Sequence, residues 1–501
     1  MPEQNENLPI QTLLMGSKIS NRDCGCGCNR REFLTMSGVA TIGLSVLPVM
    51  NLFGSLLEAP KLISKEGARV KTVFLYPSSK SMADDPDGWW SWPGTEFNAE
   101  GHQQKHTAEL QKMSSKLGMN INVAGKPAVN DTDVQEVIKE LKSEKYDGLL
   151  LILFHNWTLP QADALLKAAE ELGIPSVFYI ELGVKHGSIR QYQRPGMYFI
   201  QAKDDFDAIE SGMRMINARK LLRQSTLLSI TDEEGRSITK EPFLGITIKP
   251  VLFDHYAKVF HSVDIDSQAK EFISQISRRA IEINKVTQEA LENATRAYFA
   301  LKKILEDEGG DAVTMNCLKR GMLKPCIGFS MLNSQLIPAT CENDFNAAYG
   351  QMLAQLIVRQ PGFQHNPAFN TEENRYYASH CTCPTKLYGP DGEDLRYRLT
   401  RFLHTNEGSC AIQVFWKPDD PVTMVHYYSG KEPKMDVYSG TVYKSHQELV
   451  GCATNVEINI TDRENVNEVQ GHHSILLCDD LSKVFKDFAR LHRIELMEAL
   501  G

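Results

Sequence analysis

Short apolar runs alternate with stretches of helical period in the part of the chain that follows residue 68. Runs with the length of buried strands lie at residues 70–76, 119–123, 148–154 and 176–180. Between them, one helical face is shared by Val134, Val137, Ile138 and Leu141, and another by Ala162, Leu165, Leu166 and Ala169. This alternation predicts a parallel sheet covered by helices on both faces. We therefore predict an N-terminal α/β domain at residues 61–203.

A second α/β pattern follows at residues 204–326, with strands predicted at 225–230, 243–248 and 312–315. Between Ser267 and Glu308 there is no Gly or Pro, and apolar residues recur at steps of four and three. This spacing predicts one long helix, which Gly309 and Gly310 end. Its small alanines favour close packing on a sheet or a neighbouring helix over a coiled-coil seam.

The sequence pattern changes at residues 327–501, where runs of aromatic and β-branched residues are separated by Gly, Pro and Asp. These runs predict strands at residues 375–378, 397–403, 411–416, 422–428 and 456–460, mainly in antiparallel pairs. A last amphipathic helix is predicted at 481–490. The predicted fold class is thus α/β, with two doubly wound α/β domains followed by a β-rich C-terminal domain.

Charge and composition exclude several classes of protein. The chain has 54 Lys and Arg against 63 Asp and Glu, a net charge of −9, which argues against a general nucleic-acid binder. Eleven Cys in 501 residues are too few for a disulfide scaffold. The first strand is not followed by a Gly-rich phosphate-binding turn, so neither dinucleotide nor triphosphate binding is indicated.

The N-terminal segment, residues 1–60, has the layout of a twin-arginine export signal and a linker. Arg30 and Arg31 are followed by a run without charge from Phe33 to Leu57. A buried helix with a chance Arg pair is the alternative. The signal predicts recognition by the twin-arginine translocation machinery and a periplasmic or membrane-tethered protein, or a cytoplasmic one if the signal is not used. Just before the Arg pair, three thiols could bind a soft metal: Cys24, Cys26 and Cys28.

Reactive side chains concentrate in the β-rich third, which holds eight of the fourteen His from His365 onward. Glu342 and Asp344 are two residues apart and could form an oxygen site for a divalent cation. Alternatively, Asp344 caps the helix that follows. His380 and His473 are at strand ends and could complete a metal site.

Three further features of this third leave alternatives open. His380 starts a His-Cys-Thr-Cys string, which is poor evidence for zinc without a second cysteine pair. His404 and Glu407 lie in a polar loop, where they either contact a polyol or only shape the turn. The eight cysteines from Cys317 onward could form disulfides in an oxidising compartment, but their spacing fixes no pairing.

Five strings in order resemble the L-fucose isomerase and L-arabinose isomerase superfamily, over a span from about Val70 to the C-terminus. The strings are residues 311–317 with 324–327, Cys341-Glu-Asn-Asp344, His380-Cys-Thr-Cys-Pro384, His404 with Glu407, and Gly471-His-His473 before Asp480. The resemblance implies two α/β domains and a β-rich domain. It also implies a Mn²⁺-type divalent cation in a cleft that a neighbouring subunit often completes, and hence a homo-oligomer.

Under this resemblance, Asp344 and His473 match metal ligands of the family, and Glu342 is a further ligand or the base. Glu342 and Asp344 are thus also the expected catalytic residues. His380, His404 and Glu407 would line the sugar site. The family has another essential acid upstream, but residues 319–334 contain no Glu or Asp. Either Glu342 takes over that role, or the scaffold binds a sugar without isomerising it.

The resemblance implies a metal-dependent sugar isomerase that interconverts an aldose and a ketose through an enediol. The cation stabilises developing negative charge on the sugar oxygens, and a carboxylate moves the proton between adjacent carbons. The alternative is an exported, non-catalytic carbohydrate-binding protein on the same scaffold. An export signal departs from the family, whose members act in the cytoplasm.

Overall fold

Parallel sheets dominate the first two thirds of the chain, and an antiparallel barrel dominates the last third. The computed structural model describes residues 64–90, 94–318, 320–402, 408–448 and 451–497. All of these residues belong to one compact unit, Gly54–Gly501. Mixed α/β content with a β-rich C-terminal part is therefore confirmed, whereas the division into separate domains stays a prediction.

The elements alternate along most of the described chain. The strands are Arg69–Leu75 (β1), Asn120–Val123 (β2), Gly148–Leu153 (β3), Ser176–Glu181 (β4), Met197–Ala202 (β5), Thr226–Thr231 (β6), Thr239–Lys240 (β7), Thr247–Leu252 (β8), Ile283–Asn284 (β9), Ala312–Met315 (β10), Ala339–Cys341 (β11), Phe363–Asn370 (β12), Arg375–His380 (β13), Tyr397–Arg401 (β14), Cys410–Val414 (β15), Pro421–Tyr428 (β16), Lys434–Ser445 (β17), Thr454–Ile460 (β18), Ser474–Cys478 (β19) and Glu495–Leu496 (β20). The helices are Ser79–Asp84 (α1), Ala99–Leu117 (α2), Asp131–Ser143 (α3), Leu159–Glu171 (α4), Phe206–Leu222 (α5), Phe253–Ser262 (α6), Ser267–Arg279 (α7), Gln288–Glu308 (α8), Cys326–Ser334 (α9), Phe345–Val358 (α10) and Ser482–Leu491 (α11).

The first sheet is parallel throughout, in the order β2-β1-β3-β4-β5. All six residues of β3 are buried, because helices cover both faces of the sheet. Leu110 of α2 and Met213 of α5 belong to the core on one face, and Val137 of α3 and Leu165 of α4 to the core on the other. The four strands predicted here are confirmed within one or two residues.

The second sheet has the order β11-β10-β6-β8-β7, with β7 antiparallel at one edge. The strand predicted at 243–248 is shifted, because Phe243 and Leu244 lie in a turn whose N–H groups donate to the Glu241 carboxylate, and β8 begins at Thr247. Strand β11 pairs in parallel with β10. The chain beyond residue 327 therefore contributes α9, β11 and α10 around this sheet before its antiparallel strands begin.

The single long helix predicted between Ser267 and Glu308 is wrong. Helix α7 ends at Arg279 and α8 begins at Gln288. In between, β9 pairs with β14, Lys285 takes a left-handed backbone conformation, and Thr287 caps α8 by accepting a hydrogen bond from the Ala290 N–H. A break without Gly or Pro arises because strand pairing and the cap supply the hydrogen bonds that a continuous helix would have made.

Seven strands form the antiparallel sheet, in the order β16-β19-β12-β13-β18-β17-β20. A further pairing of β16 with β17 closes the first six into a barrel, and β20 adds to β17 in parallel. Tyr376 of β13, Tyr438 of β17 and Leu476 of β19 belong to one hydrophobic core. Separately, β14 lies between β15 and β9 in a three-stranded sheet.

The predicted export signal, with Arg30, Arg31 and the three N-terminal cysteines, lies outside the described residues. Among the residues that the structure describes, no helix combines the length and the hydrophobicity that crossing a membrane requires.

Candidate metal centre

A tight turn after β11 presents the acidic residues. Strand β11 ends at Cys341, and the next two residues, Glu342 and Asn343, have φ of 66° and 50°. Such left-handed conformations cost non-glycine residues about 1–3 kcal/mol each. Asn343 holds the turn in place, since its side-chain amide donates to the Ile230 carbonyl at 3.1 Å and its N–H donates to the Met315 carbonyl at 3.3 Å. The turn is thereby fixed to the carboxyl ends of β6 and β10, the edge where parallel sheets place their ligands.

Asp344 combines the two roles that its sequence context left open. Its Oδ1 accepts a hydrogen bond from the Ala347 N–H at 3.0 Å and so caps α10. Its Oδ2 lies 3.0 Å from Nδ1 of His473. His473 itself has φ of 58° and directly precedes β19. One carboxylate therefore ties the second sheet's helix to the barrel.

Glu342 faces two imidazoles. Its Oε1 lies 3.9 Å from Nε2 of His380, and its Oε2 lies 3.8 Å from Nε2 of His473. The two rings meet edge to face with their centroids 5.4 Å apart. Ligand atoms of Glu342, His472 and His473 all lie within 4.8 Å of one another. The structure thus brings Glu342, His380 and His473 together from the turn after β11, the end of β13 and the residue before β19.

The pKa values of Asp344 and His473 shift in opposite directions, and both shifts favour the charged forms. Burial opposes ionisation of Asp344, but the hydrogen bonds from His473 and from the Ala347 N–H outweigh it and hold the pKa of the carboxyl below its usual value. For His473, burial alone would lower the pKa, whereas the hydrogen bond to Asp344 and the charge of Glu342 raise it above the usual value.

The donor set fits a divalent cation. Nε2 of His473 is buried and has no hydrogen-bond partner. An unpaired buried nitrogen of this kind is costly unless a ligand satisfies it. The ring's other nitrogen is held by Asp344, the arrangement by which a carboxylate orients a metal-binding histidine. Although Asp344 was predicted as a ligand beside Glu342, the two carboxylates face different nitrogens of the His473 ring.

A cavity of about 430 Å³ opens beside Glu342 and His380. Among the described residues that line it, Glu342 is the only acid and Lys324 the only base other than His380. Lys324 is nearly buried, with its Nζ 4.0 Å from the centre of the Phe402 ring. Five cysteines also line the cavity: Cys317, Cys326, Cys341, Cys381 and Cys452.

Sequence reasoning missed Lys324 and these cysteines as site residues. The signal was present, because Cys317, Lys324, Cys326 and Cys341 all occur in the strings that carried the family resemblance, but nothing in their spacing showed that they meet. Two predicted sugar-binding residues, His404 and Glu407, lie outside the described residues. The eight described cysteines are all free, so no disulfide forms among them.

Neither a comparison with models of known protein families nor one with curated proteins finds a match to this chain. The resemblance to the fucose and arabinose isomerases therefore rests on the motifs alone.

Proposed function

We propose that this protein is a metal-dependent sugar isomerase that interconverts an aldose and a ketose. The observation that carries the proposal is the position of Glu342, a carboxylate at the wall of a cavity and between two buried imidazoles, one of which has an unpaired nitrogen. Glu342 and Nε2 of His473 would hold a divalent cation of the Mn²⁺ class, with His472 nearby and Asp344 orienting His473.

The reaction requires a group that carries a proton between neighbouring carbons. With Oε2 of Glu342 facing His473 at the cation site, Oε1 is the oxygen that removes the proton from C2 of the aldose and returns it to C1. The hydroxyl proton passes from O2 to O1, so that the composition does not change. His380 faces Oε1 of Glu342 and would keep the carboxylate aimed into the cavity. The cation, when bound, would supply positive charge at the two reacting oxygens.

The test combines metal content with turnover. The purified chain is loaded with Mn²⁺, its metal content is measured by mass spectrometry, and a panel of aldoses is screened for ketose formation by NMR. Glu342→Gln should lower kcat by about 10²–10⁴-fold, because it removes the proton carrier. Asp344→Asn should weaken Mn²⁺ binding by about 10–100-fold, because it removes the group that orients His473.

Glu373→Gln is the matched control, since this exposed carboxylate pairs with Arg375 on the barrel surface. It should leave both readouts unchanged. A chain that stays free of metal after exposure to Mn²⁺, or a Glu342→Gln variant with full activity, would refute the isomerase proposal.

A non-catalytic carbohydrate-binding protein remains the second candidate. It is favoured by the absence of Glu and Asp from residues 319–334, where the isomerase family has another essential acid. Calorimetry distinguishes the two functions. A binding protein would take up a sugar equally well with and without a chelator and release it unchanged.

We also propose that the chain is exported by the twin-arginine machinery and assembles as a homo-oligomer. Replacing Arg30 and Arg31 with Lys should retain the protein in the cytoplasm, because the pair is the feature that the machinery recognises. Cell fractionation measures the first effect, and light scattering on the purified chain measures the number of subunits. An unchanged location would contradict export by this route.

A further inference from the structure

The five cysteines of the cavity form a connected cluster of thiols. Sγ of Cys326 lies 3.4 Å from Sγ of Cys381. The ligand atoms of Cys341 and Cys381 lie within 4.8 Å of each other, and electrostatic interactions link Cys341 with Cys317 and Cys381 with Cys452. These residues come from separate parts of the chain, so their meeting is a property of the fold and not of local spacing.

An imidazole joins this cluster. The His380 ring is 2% exposed, and its Nδ1 lies 3.9 Å from Sγ of Cys381 and 3.2 Å from the hydroxyl of Thr382. Its other nitrogen, Nε2, faces Glu342. Cys341, His380 and Cys381 each offer one ligand atom, and these three atoms lie within 4.8 Å of one another. All three side chains are buried.

The spacing of these atoms suits a tetrahedral thiophilic ion. With bonds of about 2.3 Å to sulfur and about 2.0 Å to nitrogen, neighbouring ligand atoms around zinc are roughly 3.3–3.8 Å apart. Small side-chain movements would bring the three atoms to that separation. The backbone positions are already fixed, because Cys341 ends β11 in the second sheet and His380 ends β13 in the barrel.

Two other uses of the cluster fit less well. Buried cysteines often act as small apolar side chains in a packed core, and four of these five do lie in the hydrophobic core, with Cys452 packed against it, but all five also line the cavity. A disulfide is the second possibility, yet the described cysteines are all free. The alternatives therefore leave unexplained why an imidazole nitrogen and two thiols converge.

We propose that Cys341, His380 and Cys381 bind a zinc ion, with the fourth coordination position open to the cavity. None of these three ligands is among those proposed above for Mn²⁺, although His380 also faces Glu342, and zinc binding does not depend on isomerase activity. Three protein ligands and an open position are typical of zinc sites that bind a small molecule.

The first test is X-ray absorption spectroscopy on the zinc-loaded full chain, in which Cys24, Cys26 and Cys28 are replaced by Ser. The expected zinc environment contains two sulfur atoms at about 2.3 Å together with nitrogen or oxygen. An environment of nitrogen and oxygen alone would place the ion at Glu342 and His473 and would overturn the proposal. This measurement needs no substitution at the site itself.

Cobalt provides the second test, because cobalt bound to thiolates gives a sulfur-to-metal charge-transfer band. The band should appear in the same background and be lost in Cys341→Ser and in Cys381→Ser. It should persist in Cys383→Ser, whose thiol is equally buried but donates to the Pro384 carbonyl. It should also persist in Glu342→Gln, which removes only the carboxylate. The zinc site would be refuted if the chain with only Cys24, Cys26 and Cys28 replaced showed no charge-transfer band. It would also be refuted if Cys383→Ser lost the band as fully as Cys341→Ser.

Discussion

At the scale of single residues, the candidate site depends on side chains that make two kinds of contact at once. Asp344 uses one oxygen to cap α10 and the other to hold His473. Its sequence context indicated each role separately, since Asp is common at helix N-caps and as a metal ligand. The resemblance placed Asp344 and His473 at one site, but nothing in the sequence indicated their direct hydrogen bond across 129 residues.

The two contacts of Asp344 can be separated by substitution. Asp344→Asn keeps a capping oxygen but loses the charged hydrogen bond, which should lower the free energy of unfolding by about 1.5–3 kcal/mol. Asp344→Ala also loses the cap and should cost about 1 kcal/mol more. Urea unfolding measures both. Asp205 is the control, because it caps α5 through Ala208: Asn should be tolerated there and Ala should cost only the cap. An equal loss for Asn at both positions would contradict the role of His473.

His365 predicts a pH dependence of stability. It is fully buried, Nδ1 donates to the Phe363 carbonyl and Nε2 accepts from the Tyr376 hydroxyl, and burial lowers its pKa to about 3. The unfolded chain, with a histidine pKa of about 6.5, binds more protons between these values. Stability from this residue is therefore complete above pH 6.5 and falls as the pH drops, by up to about 1.4 kcal/mol per unit.

His365→Asn should reduce the slope of unfolding free energy against pH between pH 6 and 4, as measured by urea unfolding. The same substitution at the exposed His186 serves as the control and should leave the slope as in the unsubstituted chain. Equal slopes in all three proteins would show that His365 titrates alike in the folded and unfolded states.

At the scale of elements, the spacing of apolar residues identified buried strands and helices well wherever a single spacing continued through the whole element. Four strands of the first sheet, β1 to β4, are short apolar runs with helices between them, and they were predicted closely, whereas β5 was not predicted. The prediction of one continuous helix failed between α7 and α8. The apolar spacing continues through residues 280–287 there, but the backbone leaves the helix to pair with β14. Strand β12 was missed because Pro367 interrupts it.

The start of α8 should be sensitive to its cap. Thr287→Ala removes the oxygen that accepts from the Ala290 N–H and should lower the free energy of unfolding by about 1 kcal/mol. Thr287→Ser keeps the hydroxyl and should cost much less. Urea unfolding compares the variants. If Ala and Ser behave alike, the break between the helices does not depend on this hydrogen bond.

At the scale of the whole molecule, α10 and the segment after it pack tightly on the barrel. A Cβ added to Gly362 would lie 2.0 Å from Cγ2 of Ile475 in β19, and Gln351 of α10 accepts from the Gly362 N–H at 2.9 Å. The structure leaves no room for a methyl group at this point. The candidate metal centre lies at the same junction, because Asp344 caps α10 and His473 precedes β19.

Gly362→Ala should therefore lower the free energy of unfolding by about 1–3 kcal/mol through overpacking. The loss should shrink in an Ile475→Ala background, where the clashing methyl group is absent, and a double-mutant cycle measures that coupling. Gly125→Ala is the control, because a Cβ there would meet no atom within 4 Å. Independent effects of Gly362→Ala and Ile475→Ala would contradict the contact.

The order of the barrel strands also constrains how the protein can fold. Strand β19 lies between β12 and β16, although it follows both in sequence. Until residues 474–478 have left the ribosome, β12 and β16 each keep an unpaired edge, and such edges are prone to join other chains. His473 arrives with the same segment. We therefore expect the barrel to close and the candidate metal-binding groups to meet only after β19 is made, and a chain cut short before β19 to lack both.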